Sequence, residues 1–164
     1  STPVVDTFSV PIDESSSHYT WNIEPINPKL DEYWPGVVQY NDSKAYIVDN
    51  RTLYVVGSES VFTGAEKPAE HPMPPQPGYT DTGIPAARMG GNGVRVEDVG
   101  VCFYSATPSS IFCFTPTDGS YLWINCTAGH IAGAITAIGK TVFVAGGADA
   151  AGDVTDVIDV FTWE

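Results

Sequence analysis

The sequence predicts an all-β protein made of repeated four-stranded sheets, and three observations predict it. First, a short strand pattern returns roughly every fifty residues. Residues 4–10 and 157–163 are the clearest copies, and residues 110–116 and, more weakly, 52–58 lie between them. Counted from residues 4, 52, 110 and 157, the copies start 48, 58 and 47 residues apart. Second, Val, Ile, Thr, Phe, Tyr and Trp dominate the short apolar runs, which is strand composition, and no long segment has clean 3.6-residue periodicity. Third, 13 prolines and 16 glycines interrupt the chain too often for long helices.

A repeat of about 40–50 residues holding several short strands is the signature of propeller blades, one four-stranded sheet per repeat. Residues 4–10 form the first strand and Tyr19–Ile23 its neighbour, so residues 4–23 make a partial blade. Pro25, Pro28 and Pro35 mark an irregular crossing. Residues 36–63 make a complete blade, with strands at 36–40, 44–48, 52–57 and 60–63. Its turns, Asn41-Asp42-Ser43 and Asp49-Asn50-Arg51, have hairpin chemistry.

Residues 64–85 hold six prolines, which cannot sit in a sheet interior, so they read as a long proline-rich loop. A second complete blade spans 93–124, with strands at 93–96, 100–104, 110–115 and 121–124 and an Asp118-Gly119 turn. Residues 134–163 carry strands at 134–138, 141–147 and 157–163 and stop one strand short. The whole of 1–164 is thus one partial propeller domain of about three blades, with both terminal blades unfinished.

The C-terminal unit carries a more specific pattern. Residues 139–147 end a strand in Gly146-Gly147, and an aromatic-ended strand, Val157–Phe161, follows ten residues on. Pro85-Ala86-Ala87-Arg88-Met89-Gly90-Gly91 is a small-Arg-small lead-in to a first strand. Tyr19-Thr20-Trp21 and Tyr121-Leu122-Trp123 stand at tryptophan-strand positions. These features resemble the kelch repeat, specifically over 139–163, moderately over 85–127 and weakly before residue 64. Asp49-Asn50 and Ser105-Ala106 replace the double glycine elsewhere. The resemblance implies a β-propeller whose loop faces bind partners in most members. The radical-copper oxidases also use kelch-like propellers, but nothing here resembles their site.

Composition narrows the function. A net charge of −13 repels phosphate backbones and anionic lipid, which argues against a nucleic-acid partner. No run approaches the ~20 apolar residues of a membrane span. The start at Ser1 fits a processed secreted chain. Three sequons, at Asn41, Asn50 and Asn125, point to a secreted glycoprotein. Asn41 and Asn50 lie at turns and should be modified more fully than Asn125, which lies in a strand.

Cys102 and Cys113 fall on neighbouring strands. If Ser105 faces Ser110, antiparallel register sets Cys102 opposite Cys113, close enough for a cross-strand disulfide. The alternative is three buried free thiols, and Cys126 is left over either way. Asp149, Asp153 and Asp156 are weak calcium candidates, because their spacing matches no established calcium loop. His18, His71 and His130 stand alone, with no carboxylate or cysteine at a suggestive spacing. No catalytic residue, metal or cofactor is expected.

For partner contact, Trp34 and Tyr79 lie on proline-rich connections, and Phe161 and Trp163 on the unfinished C-terminal edge. These readings point to a non-enzymatic extracellular glycoprotein acting by protein–protein contact. Its partners would be copies of itself or the rest of a larger propeller. The alternatives are a glycan-binding propeller lectin and a fragment of a larger propeller enzyme.

Overall fold

In the computed structural model, residues 2–9, 36–39, 43–49, 52–57, 67–74, 93–106 and 108–164 are described. They form twelve strands and no helix, so the fold is all-β. The strands build three antiparallel four-stranded sheets. Sheet I contains β2 (Gly36–Gln39), β3 (Lys44–Asp49), β4 (Thr52–Gly57) and β5 (Ala69–Pro72) in that order. Sheet II contains β6 (Val94–Val96), β7 (Gly100–Ala106), β8 (Ser109–Thr115) and β9 (Ser120–Asn125). Sheet III contains β10 (Ala134–Ile138), β11 (Thr141–Ala145) and β12 (Val157–Thr162), and its fourth strand is β1 (Val4–Ser9) from the other end of the chain.

That last pairing corrects the expectation of two unfinished ends. β1 runs antiparallel to β12, with Val5 opposite Phe161 and Thr7 opposite Asp159. The three local strands of sheet III leave the outer edge of β12 unpaired, and an unpaired edge recruits a strand. β1 also matches β12 in its alternation, so one register places an apolar and a hydroxyl side chain on the inner face together. Tyr19–Ile23, expected beside residues 4–10, lie outside the described residues.

A second correction concerns the proline-rich loop. Part of it, β5, pairs with β4, whereas the strand expected at 60–63 lies outside the described residues. Proline is barred from sheet interiors, but among the described strands β5 is an edge strand with a neighbour on one side only. Pro72 therefore sits at the end of an edge, where a missing N–H is tolerated.

Sheet II is the middle layer. Its strands alternate faces, as the two-residue period of a strand requires. Val101, Phe103, Phe112 and Phe114 pack against Tyr46, Val48 and Leu53 of sheet I. Cys102, Tyr104, Ile111 and Cys113, from the same two strands, turn the other way to meet Val142, Val144, Phe161 and Trp163 of sheet III. A sheet buried on both faces reads as a continuous apolar run, and Val101–Tyr104 and Ile111–Phe114 do so.

Cys102 and Cys113 are register partners 4.2 Å apart at Cα and are joined by a disulfide. The pairing runs from Ala106 opposite Ser109 to Val101 opposite Phe114, which sets that register. The Asp118-Gly119 turn is also present, with the Asp118 carboxylate accepting from Ser120 N at 2.9 Å and Gly119 at a φ of +71°.

Phe161 and Trp163 require a correction as contact residues. Both are buried, at 0% and 3% exposure, on the face of β12 turned toward sheet II. Their strand is not a free edge, and their side chains form the core between two sheets.

Candidate functional site: a buried histidine–aspartate centre

Beyond Asn125 the chain crosses from sheet II to sheet III through Cys126, Thr127, Ala128, Gly129 and His130. Cys126 N donates to Ser109 O at 2.9 Å, which holds the start of the crossing against β8. The far end is held by Gly146-Gly147, at φ values of +69° and +75°. A Cβ on Gly147 would stand 2.4 Å from Ile131 O and 2.8 Å from the His130 carbonyl carbon. Only glycine lets the two backbones approach this closely. The close approach delivers His130 into the core between sheets II and III.

His130 and Asp159 are both fully buried, at 0% exposure. The Nε2 of His130 lies 2.9 Å from Asp159 Oδ2, and its Nδ1 lies 2.9 Å from Gly146 O. A carbonyl oxygen can only accept, so Nδ1 carries a proton. On the other side, Asp159 Oδ1 accepts from Thr127 N at 3.0 Å, Thr127 Oγ1 at 2.7 Å and Thr7 Oγ1 at 3.0 Å. Ala128 N adds a longer bond to Oδ2 at 3.4 Å. So many donors demand a carboxylate, which places the remaining shared proton on Nε2. The centre is an ion pair without contact with bulk water.

Burial by itself raises the Asp159 pKa. The hydrogen bonds from His130, Thr127 and Thr7 outweigh that effect and hold the carboxyl below its ordinary range. A second chain of hydrogen bonds adjoins the pair. His130 N donates to the Tyr104 hydroxyl at 2.9 Å. Ser109 Oγ donates to Ala128 O at 2.6 Å, so the 3.0 Å bond between Tyr104 and Ser109 uses the tyrosine proton. The Tyr104 ring also meets His130 edge-on, with centroids 6.0 Å apart. Burial pushes the Tyr104 phenol above its ordinary value, despite the bonds from Ser109 and His130. Burial likewise pushes the Cys126 thiol up to about 12, so it stays protonated.

This set contains the residue types of a nucleophilic site, but the bonds are wrong for one. Neither ring nitrogen of His130 retains a free lone pair to act as a base. Ser109 gives its proton to a carbonyl, and Cys126 is no nucleophile as a neutral thiol. The centre is suited to holding β1, β12 and the inter-sheet crossing in one arrangement.

Sequence reasoning missed this pair, reading His130 as isolated. Its carboxylate partner lies 29 residues away, on a different strand. A signal was available. Asp159 alternates with Phe161 and Trp163 on one face of its strand, and a charge in an inward phase demands a partner.

The other expected residues are scattered. Trp34, Tyr79, Asn41 and Asn50 lie outside the described residues. Asn125 is exposed at the end of β9, the outer edge of sheet II. Asp149 Oδ1 accepts from Ala151 N at 2.9 Å and Asp153 N at 3.0 Å, so this oxygen is used by its own loop. Among the described residues, no three His, Cys, Asp or Glu side chains gather closely enough to hold a metal ion. No described helix is long and apolar enough to cross a membrane. Neither a scan against protein-family models nor a search of curated proteins finds a match.

Proposed function

We propose that the chain is a non-enzymatic extracellular glycoprotein whose three sheets are kelch-like blades, acting by sheet-to-sheet contact with a second copy of itself. The observation that carries this reading is the outward face of sheet III. Register sets Val4, Thr162, Thr141 and Ile138 in one row across it, and Asp6, Val160, Phe143 and Thr136 in the next. Val4 is 52% exposed and Ile138 73%, while Phe143 and Val160 are half-buried. Asp6 is the one charged residue in these rows.

Stacked blades need an apolar neighbour on each face. Ala45 and Val56, on the far face of sheet I, are buried, whereas Val4 and Ile138 are exposed, so the contact uses the sheet III face of both copies. Such a contact is isologous and stops at a dimer. The enclosure of His130 and Asp159 supports a non-catalytic reading, since no substrate reaches them.

Light scattering at increasing concentration is expected to show a monomer–dimer equilibrium. Phe143→Asp and Ile138→Asp should abolish it while leaving the thermal unfolding transition in place. A chain that stays monomeric at the highest soluble concentration would count against self-contact.

The disulfide and the sequons support the extracellular part. Expression through a eukaryotic secretory pathway is expected to add glycans at Asn41 and Asn50, and also at Asn125, whose exposed edge position leaves room for one. Peptide mass spectrometry that finds all three bare would overturn the glycoprotein reading.

A further inference from the structure

We propose that the His130–Asp159 centre is an acid-sensitive clasp on β1, and that neutralising the Asp159 carboxylate frees β1 from β12 and opens the outer edge of sheet III. The inference is independent of whether the outward face of sheet III takes a partner.

Geometry makes β1 the element that yields. Among the described residues it is an edge strand, paired with β12 alone. Val4 and Val5 are 52% and 45% exposed, so β1 contributes little apolar burial of its own at those positions. Its side-chain tie to the centre is Thr7 Oγ1, which donates to Asp159 Oδ1 at 3.0 Å and lies 3.3 Å from Thr127 Oγ1. β12, in contrast, is paired on both sides and buries Asp159, Phe161 and Trp163 against sheet II. When the carboxylate becomes an acid, it loses its charge and part of its acceptor capacity. The three donors on Oδ1 can then no longer all be satisfied, and those that remain lose their charge assistance. The crossing segment retains its bonds to Ser109, Tyr104 and Gly146. β1 loses its side-chain tie to the centre and keeps its ladder to β12.

The groups facing Asp159 can be named element by element. β1 brings Thr7, β7 brings Tyr104 and β8 brings Ser109. The crossing brings Cys126, Thr127 and His130, and the end of β11 brings the Gly146 carbonyl. Among these described neighbours, His130 supplies the only positive charge and Asp159 the only negative one. Asp6 is a second carboxylate on β1, on its opposite face, where Oδ1 accepts from Thr7 N at 2.7 Å.

The sign follows from the direction of the shift. The folded state holds the Asp159 carboxyl below its ordinary range. Its contribution is therefore complete above that range and is lost as pH falls through the folded value. The clasp is closed at neutral pH and opens in acid.

Hydrogen exchange with mass spectrometry on the intact chain tests this, with protection corrected for the intrinsic pH dependence of exchange. Between pH 7 and about pH 2, the β1 amides should lose at least about tenfold in protection. Those of β8 should keep theirs. Thr7→Val should lower β1 protection at neutral pH and weaken its acid response. Asp6→Asn, on the opposite face, should leave the acid response intact. Loss of β1 and β8 protection in parallel would show global acid unfolding and overturn the proposal. So would unchanged β1 protection, an unaffected response in Thr7→Val, or a response abolished by Asp6→Asn.

Discussion

Replacing His130 by alanine is expected to destabilise the fold by about 3–5 kcal/mol, because it leaves the buried Asp159 carboxylate without its counter-charge. Burying two charges is itself expensive, so the intact pair need not add net stability over an apolar core. Breaking it is another matter. Asp159 is at 0% exposure, so bulk solvent does not screen its carboxylate in place of the imidazole. The donors that remain, from Thr127 and Thr7, set the effect toward the lower end of that range. Removal of the ring also takes away the Nδ1 donor to Gly146 O.

Denaturant unfolding of the single variants and of the His130→Ala, Asp159→Ala double variant gives the coupling directly. The double variant should cost clearly less than the two singles together, since the second substitution removes the charge that the first leaves unpaired. Additive effects, or a His130→Ala cost below about 1 kcal/mol, would remove the ion pair from the account of this core.

Phe161→Ala is expected to cost a further class of energy, about 3–5 kcal/mol, through a cavity between sheets II and III. Phe161 is at 0% exposure, opposite Val5 on β1 and Val142 on β11. It packs in one cluster with Val142, Val144, Trp163 and the Cys102–Cys113 pair. That cluster is cross-linked and paired on both sides, so it collapses poorly around a deleted ring, and poor collapse raises the cost.

As a surface contact residue, Phe161 would change association and leave stability alone. Its position predicts the reverse: Phe161→Asp unfolds sheet III before any effect on assembly can be read. Ile138→Asp is the control, because Ile138 is 73% exposed on the outward face. Thermal denaturation that shows Phe161→Ala within about 1 kcal/mol of the parent would contradict the packing described here.

What the sequence by itself determined is local. Strands β2, β3, β4, β7, β8 and β9 follow from short runs of strand-forming residues between turn residues, information carried within a dozen positions. The opposition of Cys102 and Cys113 was legible for the same reason, because one facing pair, Ser105 and Ser110, fixes the register along both arms of a hairpin. The all-β class needed no more than this.

Tertiary structure alone decided which distant pieces meet. β1 seats itself beside β12, about 150 residues along the chain, and nothing within either strand states that preference. A proline-bearing segment could become β5 because it is an edge strand, and edge status belongs to the assembled sheet. The inward or outward sense of Phe161, Trp163 and Phe143 likewise depends on which face of sheet III has a neighbour. Alternation divides a strand into two faces without saying which one is covered. His130 and Asp159 were each legible as residues, but not as a pair. Their attraction operates only once the close approach at Gly147 and the closure by β1 have excluded water and brought them to 2.9 Å.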